Sequence, residues 1–166
     1  MGTEERAPLK PLPTHRPPTS ERTAPRRPAR RWGSFPTTAD VGVWARGPDS
    51  AALLEALGLG LFALMTDLRT VRPREERAVS ATGLDTTELV VSFLTELILV
   101  HEADGFLVRE IRARPVGTPP TAVVAALRGE PFDPDRHPAG TEVKAATFHH
   151  LVFDPERGRA RVIVDI

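Results

Sequence analysis

The chain has 166 residues, of which 40% are hydrophobic, and this length suits one domain with an ordinary buried core. It contains no cysteine, which excludes disulfides and thiolate metal sites and fits a reducing compartment such as the cytoplasm. The longest apolar runs, residues 51–65 and 89–100, are shorter than the roughly 18 to 20 residues of a membrane span, and the N-terminus has no apolar signal core. We therefore predict a cytoplasmic protein without a membrane anchor.

The formal net charge of zero conceals an uneven distribution of charge. Residues 1–31 contain eight Lys and Arg against three Glu, a balance of +5, so the remaining residues sum to −5. An acidic body argues against a broad nucleic-acid surface on the folded part, although the basic segment can contact phosphates weakly.

Residues 1–31 are rich in Pro, Arg and Thr and have almost no large apolar side chain, so burial cannot offset the entropy of ordering them. We predict a disordered tail over residues 1–31 and a folded domain over residues 32–166. A Pro-rich ligand for another protein is the alternative for this tail, and a dispensable extension is favoured over it.

Two helical and several strand-like patterns follow the tail. In chain order, the predicted elements are a start of the fold at 32–35, a strand at 41–46, a helix at 51–65, a short strand at 78–83, a second helix from 85 or 86 to about 104, strands at 106–114 and 122–128, a loop at 129–140, and strands at 141–153 and 159–166. Because strands and helices do not alternate strictly, we predict an α+β fold, a two-layer sandwich of two main helices on a mostly antiparallel sheet.

Common enzymatic motifs are absent from the sequence: there is no Gly-rich phosphate loop, nucleophile elbow, zinc spacing or EF-hand pattern. This weakens a prediction of stand-alone catalysis. The remaining candidates are polar groups near strand ends: Asp40, Asp67, Glu142, Lys144, His149, His150, Asp165 and the terminal carboxylate of Ile166.

Asp165 and the carboxylate of Ile166 lie one residue apart, and they can present several hard oxygens to one cation if Asp40 is adjacent in space. Such oxygens suit calcium or magnesium rather than zinc. The alternative is an exposed Asp at a frayed terminus, but the apolar residues around it indicate that the chain end is anchored in a sheet.

Lys144 is the only lysine after Lys10, in a chain that otherwise uses arginine for positive charge. Its compact, rotatable ammonium can do chemistry that a flat guanidinium cannot, although chance on a solvated face explains it equally well. Strand alternation places Glu142 and Lys144 on one face, where they can be a simple surface pair. It places His149 on the more apolar face, as a core histidine or a group that orients a nearby carboxylate. We take His150 as a surface residue, and His137, between two prolines, as a brace for its loop.

Five motifs occur in a fixed order from Phe35 to the last residue: Thr38-Ala39-Asp40-Val41-Gly42, the helix end at 61–67, the loop at 132–138, the segment at 141–149, and the closing Val164-Asp165-Ile166. With these motifs the chain resembles the archease family, the small accessory proteins of RtcB-type RNA ligases. Any one of the motifs is weak, but their order and the matching chain end make the resemblance specific. The tail lies outside it.

The resemblance implies an α+β sandwich that promotes guanylylation and turnover of the ligase in tRNA splicing or RNA repair, and is not itself an enzyme. It implies a metal site at Asp40, Asp165 and Ile166, with calcium as the expected cation and magnesium or manganese as alternatives. Lys144 is then expected near the partner or the nucleotide, with Glu142 and His149 beside it in the same segment, and RNA is expected to be contacted only indirectly.

One residue departs from the family pattern, because Thr37 stands where a His usually precedes Thr-Ala-Asp. Two other functions stay open. A metal-dependent phosphohydrolase or nuclease would use the same carboxylates directly on a phosphate ester. A chaperone-like module would use its apolar helices to bind partner proteins.

Overall fold

The computed structural model describes residues 29–166, which form seven strands, two α-helices and one short 3₁₀ helix. In chain order these are β1 Trp32–Pro36, β2 Val41–Arg46, α1 Ser50–Met65, the 3₁₀ helix Leu68–Thr70, β3 Glu75–Thr82, α2 Thr86–Asp104, β4 Phe106–Gly117, β5 Pro120–Pro131, β6 Ala145–Asp154 and β7 Arg159–Asp165. The first 28 residues of the predicted tail lie outside this description.

The strands form two sheets, one of four strands in the order β1-β2-β7-β6 and one of three in the order β3-β5-β4. All neighbouring strands in both sheets are antiparallel. Each helix contacts strands of both sheets: α1 packs on β1, β2, β7 and β4, and α2 packs on β6, β3, β5 and β4. The predicted α+β class with two helices and antiparallel strands is confirmed, and the strands are divided between two sheets.

Long-range pairing sets the strand ends. β2 has the predicted bounds. β3 begins at Glu75, three residues earlier than predicted, because Glu75 pairs with Gly129 of β5. β5 itself runs to Pro131, inside the predicted loop. β6 begins at Ala145, four residues later than predicted. Polar side chains therefore do not mark the ends of strands that have a partner to pair with.

Both α-helices begin at an aspartate that accepts a hydrogen bond from a main-chain N–H of the first turn. Asp49 accepts from Ala52 and Asp85 accepts from Glu88, each at 2.8 Å. The Glu88 carboxylate also accepts from the N–H of Leu84, which satisfies a further donor at this end. α2 ends at Gly105, whose φ of 71° is the left-handed conformation in which glycine costs least.

The core lies around the helices and includes the fully buried rings of Phe62, Phe93 and Phe106. Gly58 of α1 lets that helix approach its neighbours: a Cβ there would lie 2.5 Å from Cδ1 of Ile111 and 2.8 Å from Cδ1 of Leu97. Among residues 29–166, neither helix combines the length and the apolar character that crossing a membrane requires.

Candidate functional site

One end of the four-stranded sheet brings together residues that are far apart in the chain. Val41, the first residue of β2, pairs with Val164 of β7. Asp40 precedes this pair on one strand and Asp165 follows it on the other, so the two aspartates adjoin at the same end of the sheet. Asp165 is exposed and Asp40 is half-buried. The register of β2 and β7 therefore places the two aspartates next to each other in space.

The turn that presents Asp40 is closed by two hydrogen bonds with Thr37. The Thr37 N–H donates to the Asp40 main-chain oxygen, and the Asp40 N–H donates to the Thr37 hydroxyl oxygen, both at 3.1 Å. Threonine thus fixes the main chain of Asp40, although it supplies no ring nitrogen at this position. The Asp40 carboxylate forms no hydrogen bond or salt bridge within residues 29–166.

Lys144 joins the same end from the other side of β7. Its N–H donates to the Asp165 main-chain oxygen at 2.8 Å, and its Nζ donates to the main-chain oxygen of Ile166 at 3.2 Å. Lys144 is exposed, while the adjacent Val143 is only 4% exposed and anchors the segment in the core. The Lys144 ammonium therefore projects from a segment that is held by a main-chain hydrogen bond and by the buried side chain of Val143.

Hydrogen bonds to the end of α1 determine the path of the chain into Lys144. The N–H groups of Gly140 and Thr141 donate to the carbonyl oxygens of Met65 and Leu64, each at 2.8 Å. The buried hydroxyl of Thr66 donates to the Pro138 carbonyl oxygen at 2.8 Å. A Cβ on Gly140 would overlap main-chain atoms of Leu64 and Met65, so this approach requires glycine.

A buried polar network braces the loop that precedes this segment. One carboxylate oxygen of Glu130 accepts from Nε2 of His137 at 3.0 Å, from Arg136 at 3.0 Å and from the Arg72 N–H at 2.9 Å. Nδ1 of His137 accepts from the Asp133 N–H at 2.8 Å, which fixes the ring as the tautomer with its proton on Nε2. Both Glu130 and His137 are almost fully buried. The predicted role of His137 as a loop brace is confirmed.

The pKa of Glu130 is lowered to about 2, mainly because the Arg136 guanidinium donates to it, and the Arg72 N–H and His137 add to the effect. Glu130 was missed by sequence reasoning. A single acidic residue at the end of an apolar strand carries no signal of its partners, which come from positions 72, 136 and 137.

The structure overturns the predicted position of His149. That prediction assumed an unbroken alternation, but the pairing between β6 and β7 shifts between Thr147 and Val152, where β6 bulges out. His149 and His150 are exposed in this bulge with ring centroids 4.0 Å apart, and His150 has a φ of 52°. His149 is therefore not a core histidine, and it lies on the bulge rather than beside Asp165.

Two other candidates are also separate from the carboxylate cluster. Glu142 is exposed and lies before β6 begins, so it is not on a strand face with Lys144 as predicted. Asp67 caps the 3₁₀ helix and forms an ion pair with Arg69 at 2.6 Å, and its pKa is lowered to about 2 because of that hydrogen-bonded guanidinium.

The oxygen atoms of the cluster formed by Asp40, Asp165 and Ile166 suit a hard cation, but its two carboxylate side chains are too few to hold a metal ion by themselves. Within residues 29–166 no group of three or more His, Cys, Asp or Glu side chains is placed to hold a metal ion. Asp40 and Asp165 contribute two carboxylates, and main-chain oxygens at Ile166 would have to complete the set. Oxygen donors of this kind fit calcium or magnesium better than zinc.

The fold and the site define a class of protein: a small α+β domain of two helices and two antiparallel sheets, with a polar cluster where its last strand ends. A family model described as the Archease protein family (MTH1598/TM1083) matches residues 32–166. The chain belongs to the archease family.

Relatives from archaea and from an animal agree with this assignment. The chain is 40% identical to protein archease of Methanopyrus kandleri over 140 residues, which are 81% of this chain and 99% of that protein. It is 38% identical to protein archease of Thermococcus gammatolerans over 74% of this chain and 87% of that protein. It is 32% identical to protein archease of Danio rerio over 78% of this chain and 81% of that protein.

Two solved structures share the fold. The solution structure of protein 1598 of Methanobacterium thermoautotrophicum matches with a TM-score of 0.66 and 30% identity, and covers 82% of this chain and 99% of that chain. A crystal structure from Thermotoga maritima, described as an archease and possible chaperone, matches with a TM-score of 0.55 and 20% identity over 80% of this chain and 94% of that one. The second match, at this identity, supports the fold alone.

Proposed function

We propose that this protein is a cytoplasmic accessory protein that activates an RtcB-type RNA ligase, promoting its guanylylation and turnover in tRNA splicing or RNA repair. The observation that carries the proposal is the meeting of Asp40, Lys144, Asp165 and Ile166 at one end of the four-stranded sheet. Membership of the archease family supports it, because the resemblance to that family implies a metal site at Asp40, Asp165 and Ile166 with the cation of Lys144 nearby.

In this proposal Asp40, Asp165 and main-chain oxygens of Ile166 would hold a divalent cation, with calcium expected first and magnesium or manganese as alternatives. A cation bound there would supply positive charge that attracts an anionic group of the ligase or nucleotide. The chain's own residues orient this end of the sheet: Thr37 fixes Asp40, and the hydrogen bonds of Lys144 fix the end of β7.

Lys144 would direct its ammonium toward an anionic group once a partner approaches. Its hydrogen bond to Ile166 is on the protein surface and is easily exchanged for a bond to a carboxylate or a phosphate. The protein would act by presenting these charges to the partner rather than by turnover of its own.

A guanylylation assay on the cognate ligase tests the proposal. Asp40→Asn and Asp165→Asn should abolish stimulation while leaving the ligase able to react slowly alone, and deletion of Ile166 should impair it. Stimulation equal to that of the parent protein in both aspartate variants would show that the carboxylates are not used.

A second measurement separates activation from direct catalysis. The purified protein without ligase should cleave neither phosphate monoesters nor RNA in the presence of calcium, magnesium or manganese. Turnover that is lost in Asp40→Asn would instead support a phosphohydrolase or nuclease. Suppression of aggregation of unrelated proteins, unaffected by Lys144→Ala, would support a chaperone-like module.

A further inference from the structure

The four-stranded sheet has an outer face that the cluster at Asp40 does not explain. Val43 and Ala45 of β2 and Val162 of β7 are buried against the helices. Side chains alternate along a strand, so Trp44, Arg46 and Arg161, which lie between or beside these residues, point to the opposite face. The register places Trp44 beside Arg161 and Arg46 beside Arg159.

Trp44 lies on this face with its ring against a glycine. Trp44 pairs with Gly33 of β1, and a Cβ on Gly33 would lie 2.7 Å from each of three atoms of the indole ring. The indole ring of Trp44 therefore packs against the main chain at Gly33. Trp44 is only half-buried, and the Arg46 guanidinium lies over its ring, 5.6 Å from the ring centroid.

Beside Trp44 is a groove of about 450 Å³, within the roughly 300–1,000 Å³ typical of ligand sites. Its lining contains three arginines and no carboxylate: Trp44, Ala45, Arg46, Val152, Arg159, Ala160 and Arg161. Arg46 and Arg161 form no salt bridge with any carboxylate of residues 29–166, while Arg159 is 3.8 Å from the carboxylate of Asp154. The groove is thus positive although the folded part as a whole is acidic.

One arginine of the groove, Arg161, is held by a hydrogen bond of its side chain before any ligand binds. Nε of Arg161 donates to the main-chain oxygen of His150 at 3.1 Å, which ties this side chain to the bulge of β6. Asp154 accepts from Arg157 at 3.0 Å and so positions the turn that carries Arg159. A guanidinium fixed through one nitrogen keeps further N–H donors for a second acceptor.

We propose that this arginine groove binds single-stranded RNA directly, with Arg46, Arg159 and Arg161 on its phosphates and a base stacked on the ring of Trp44. Positive grooves with aromatic platforms bind single strands in this way, and a base can stack whatever its sequence. An acidic peptide would satisfy the arginines but would leave the ring of Trp44 without a stacking partner. The protein's own N-terminal segment does not fit, because it carries a balance of +5.

The acidic net charge of the folded part argues against a broad nucleic-acid surface. Net charge is a sum over the whole domain and does not show where charges cluster. Three arginines come together in one groove only when β2 and β7 pair. Along β7, Arg161 and Arg159 of the groove lie four and six residues from Asp165, roughly 13 to 20 Å at the usual rise of a strand, so the two sites can be tested separately. The proposal requires no ligase.

The proposal is tested by fluorescence anisotropy. A short, labelled single-stranded RNA of mixed sequence is titrated with the full chain at several salt concentrations. We expect the double variant Arg46→Ala/Arg161→Ala to weaken binding and to reduce the slope of log K against log salt by about 1.4, since each phosphate contact on a single strand contributes about 0.7. Trp44→Ala should weaken binding at least about fivefold, and Trp44→Phe should restore most of the affinity.

The matched control is Arg112→Ala/Arg114→Ala, which removes the same charge from exposed positions on β4 of the other sheet. It should leave the affinity within about twofold of the parent value. Equal losses in both double variants would mean that binding reflects net charge or the basic tail, and would overturn the proposal. Oligoglutamate provides a second comparison. If it competes as effectively as unlabelled RNA, and if Trp44→Ala does not change this competition, the groove binds an acidic protein segment instead.

Discussion

Lys144 and Ile166 are 22 residues apart in the chain, yet the ammonium of the first donates to the main-chain oxygen of the second at 3.2 Å. The pair is held by the main chain as well, since the Lys144 N–H donates to Asp165. The one lysine of the folded part therefore lies where β7 ends, next to the two aspartates that adjoin through β2 and β7. A compact, rotatable ammonium thus lies at this end of the sheet, in a domain that otherwise uses arginine for positive charge.

The first prediction concerns this lysine. Lys144→Ala should reduce stimulation of the ligase at least about tenfold, because a hydrogen bond to a charged group is worth roughly 1.5–3 kcal/mol. Lys144→Arg should restore only part of it, since a planar fork cannot occupy the position of an ammonium. Both variants should unfold within about 0.5 kcal/mol of the parent, because the side chain is exposed. Guanylylation assays and urea unfolding check this, with Arg112→Ala as control, and full rescue by arginine would show that charge alone matters.

The second prediction concerns the cation. Calcium at about a hundredfold excess over its dissociation constant should stabilise the folded protein by about 2.7 kcal/mol, which corresponds to a rise in Tm of roughly 5–10 °C. Asp165→Asn should lose this rise and keep the Tm measured in a chelator. Calorimetric scans with calcium, magnesium, manganese and EDTA give the comparison. A parent protein whose Tm responds to none of the three cations would remove the metal from the proposed mechanism.

The third prediction concerns the buried carboxylate of Glu130. Its pKa in the folded protein is about 2, below the ordinary 4.5, so its contribution to stability is fully present above about pH 4.5 and is lost as the pH falls toward 2. Glu130→Gln removes the charge on which Arg136 and His137 depend, and should cost about 1.5–3 kcal/mol near neutral pH.

The difference between Glu130→Gln and the parent should shrink as the pH falls, because the parent loses the same interaction when Glu130 is protonated. Urea unfolding at about pH 7 and about pH 3 measures both values. Glu110→Gln is the control, since Glu110 is exposed and pairs with Arg128 at 3.6 Å. A penalty for Glu130→Gln that is independent of pH would mean that the shape of the side chain, and not its charge, braces the loop.

The helices and strand β2 could be predicted because the residues that determine them lie within or next to each element. Asp49 and Asp85 act as caps for the residues three positions on, and the apolar spacing along α1 and α2 repeats within each helix. The division of strands between two sheets depends on pairings such as Glu75 with Gly129, which no local pattern encodes. The bulge in β6 defeated the alternation argument for His149 for the same reason.

The candidate site was predictable in composition but not in geometry. The motifs identified Asp40, Lys144, Asp165 and Ile166, and the strand register brings them to one end of a sheet. No local pattern indicates that Glu130 holds the loop before Lys144, because its partners lie 58 residues before it and 6 and 7 residues after it. The arginine groove was also hidden, since Arg46 and Arg159 become neighbours only when their strands pair.

The last prediction concerns the contact that lets α1 approach β4. Replacing an ordinary helical glycine by alanine stabilises a helix by roughly 0.5–1 kcal/mol, but at Gly58 the added methyl would meet Cδ1 of Ile111 at 2.5 Å. Gly58→Ala should therefore lower the free energy of unfolding by about 1–3 kcal/mol, the usual cost of an overpacked core. Ile111→Val removes that Cδ1 atom, so the double variant should be more stable than the sum of the two single changes predicts. Urea unfolding of all four proteins gives the coupling energy, and strict additivity would contradict a direct contact between these positions.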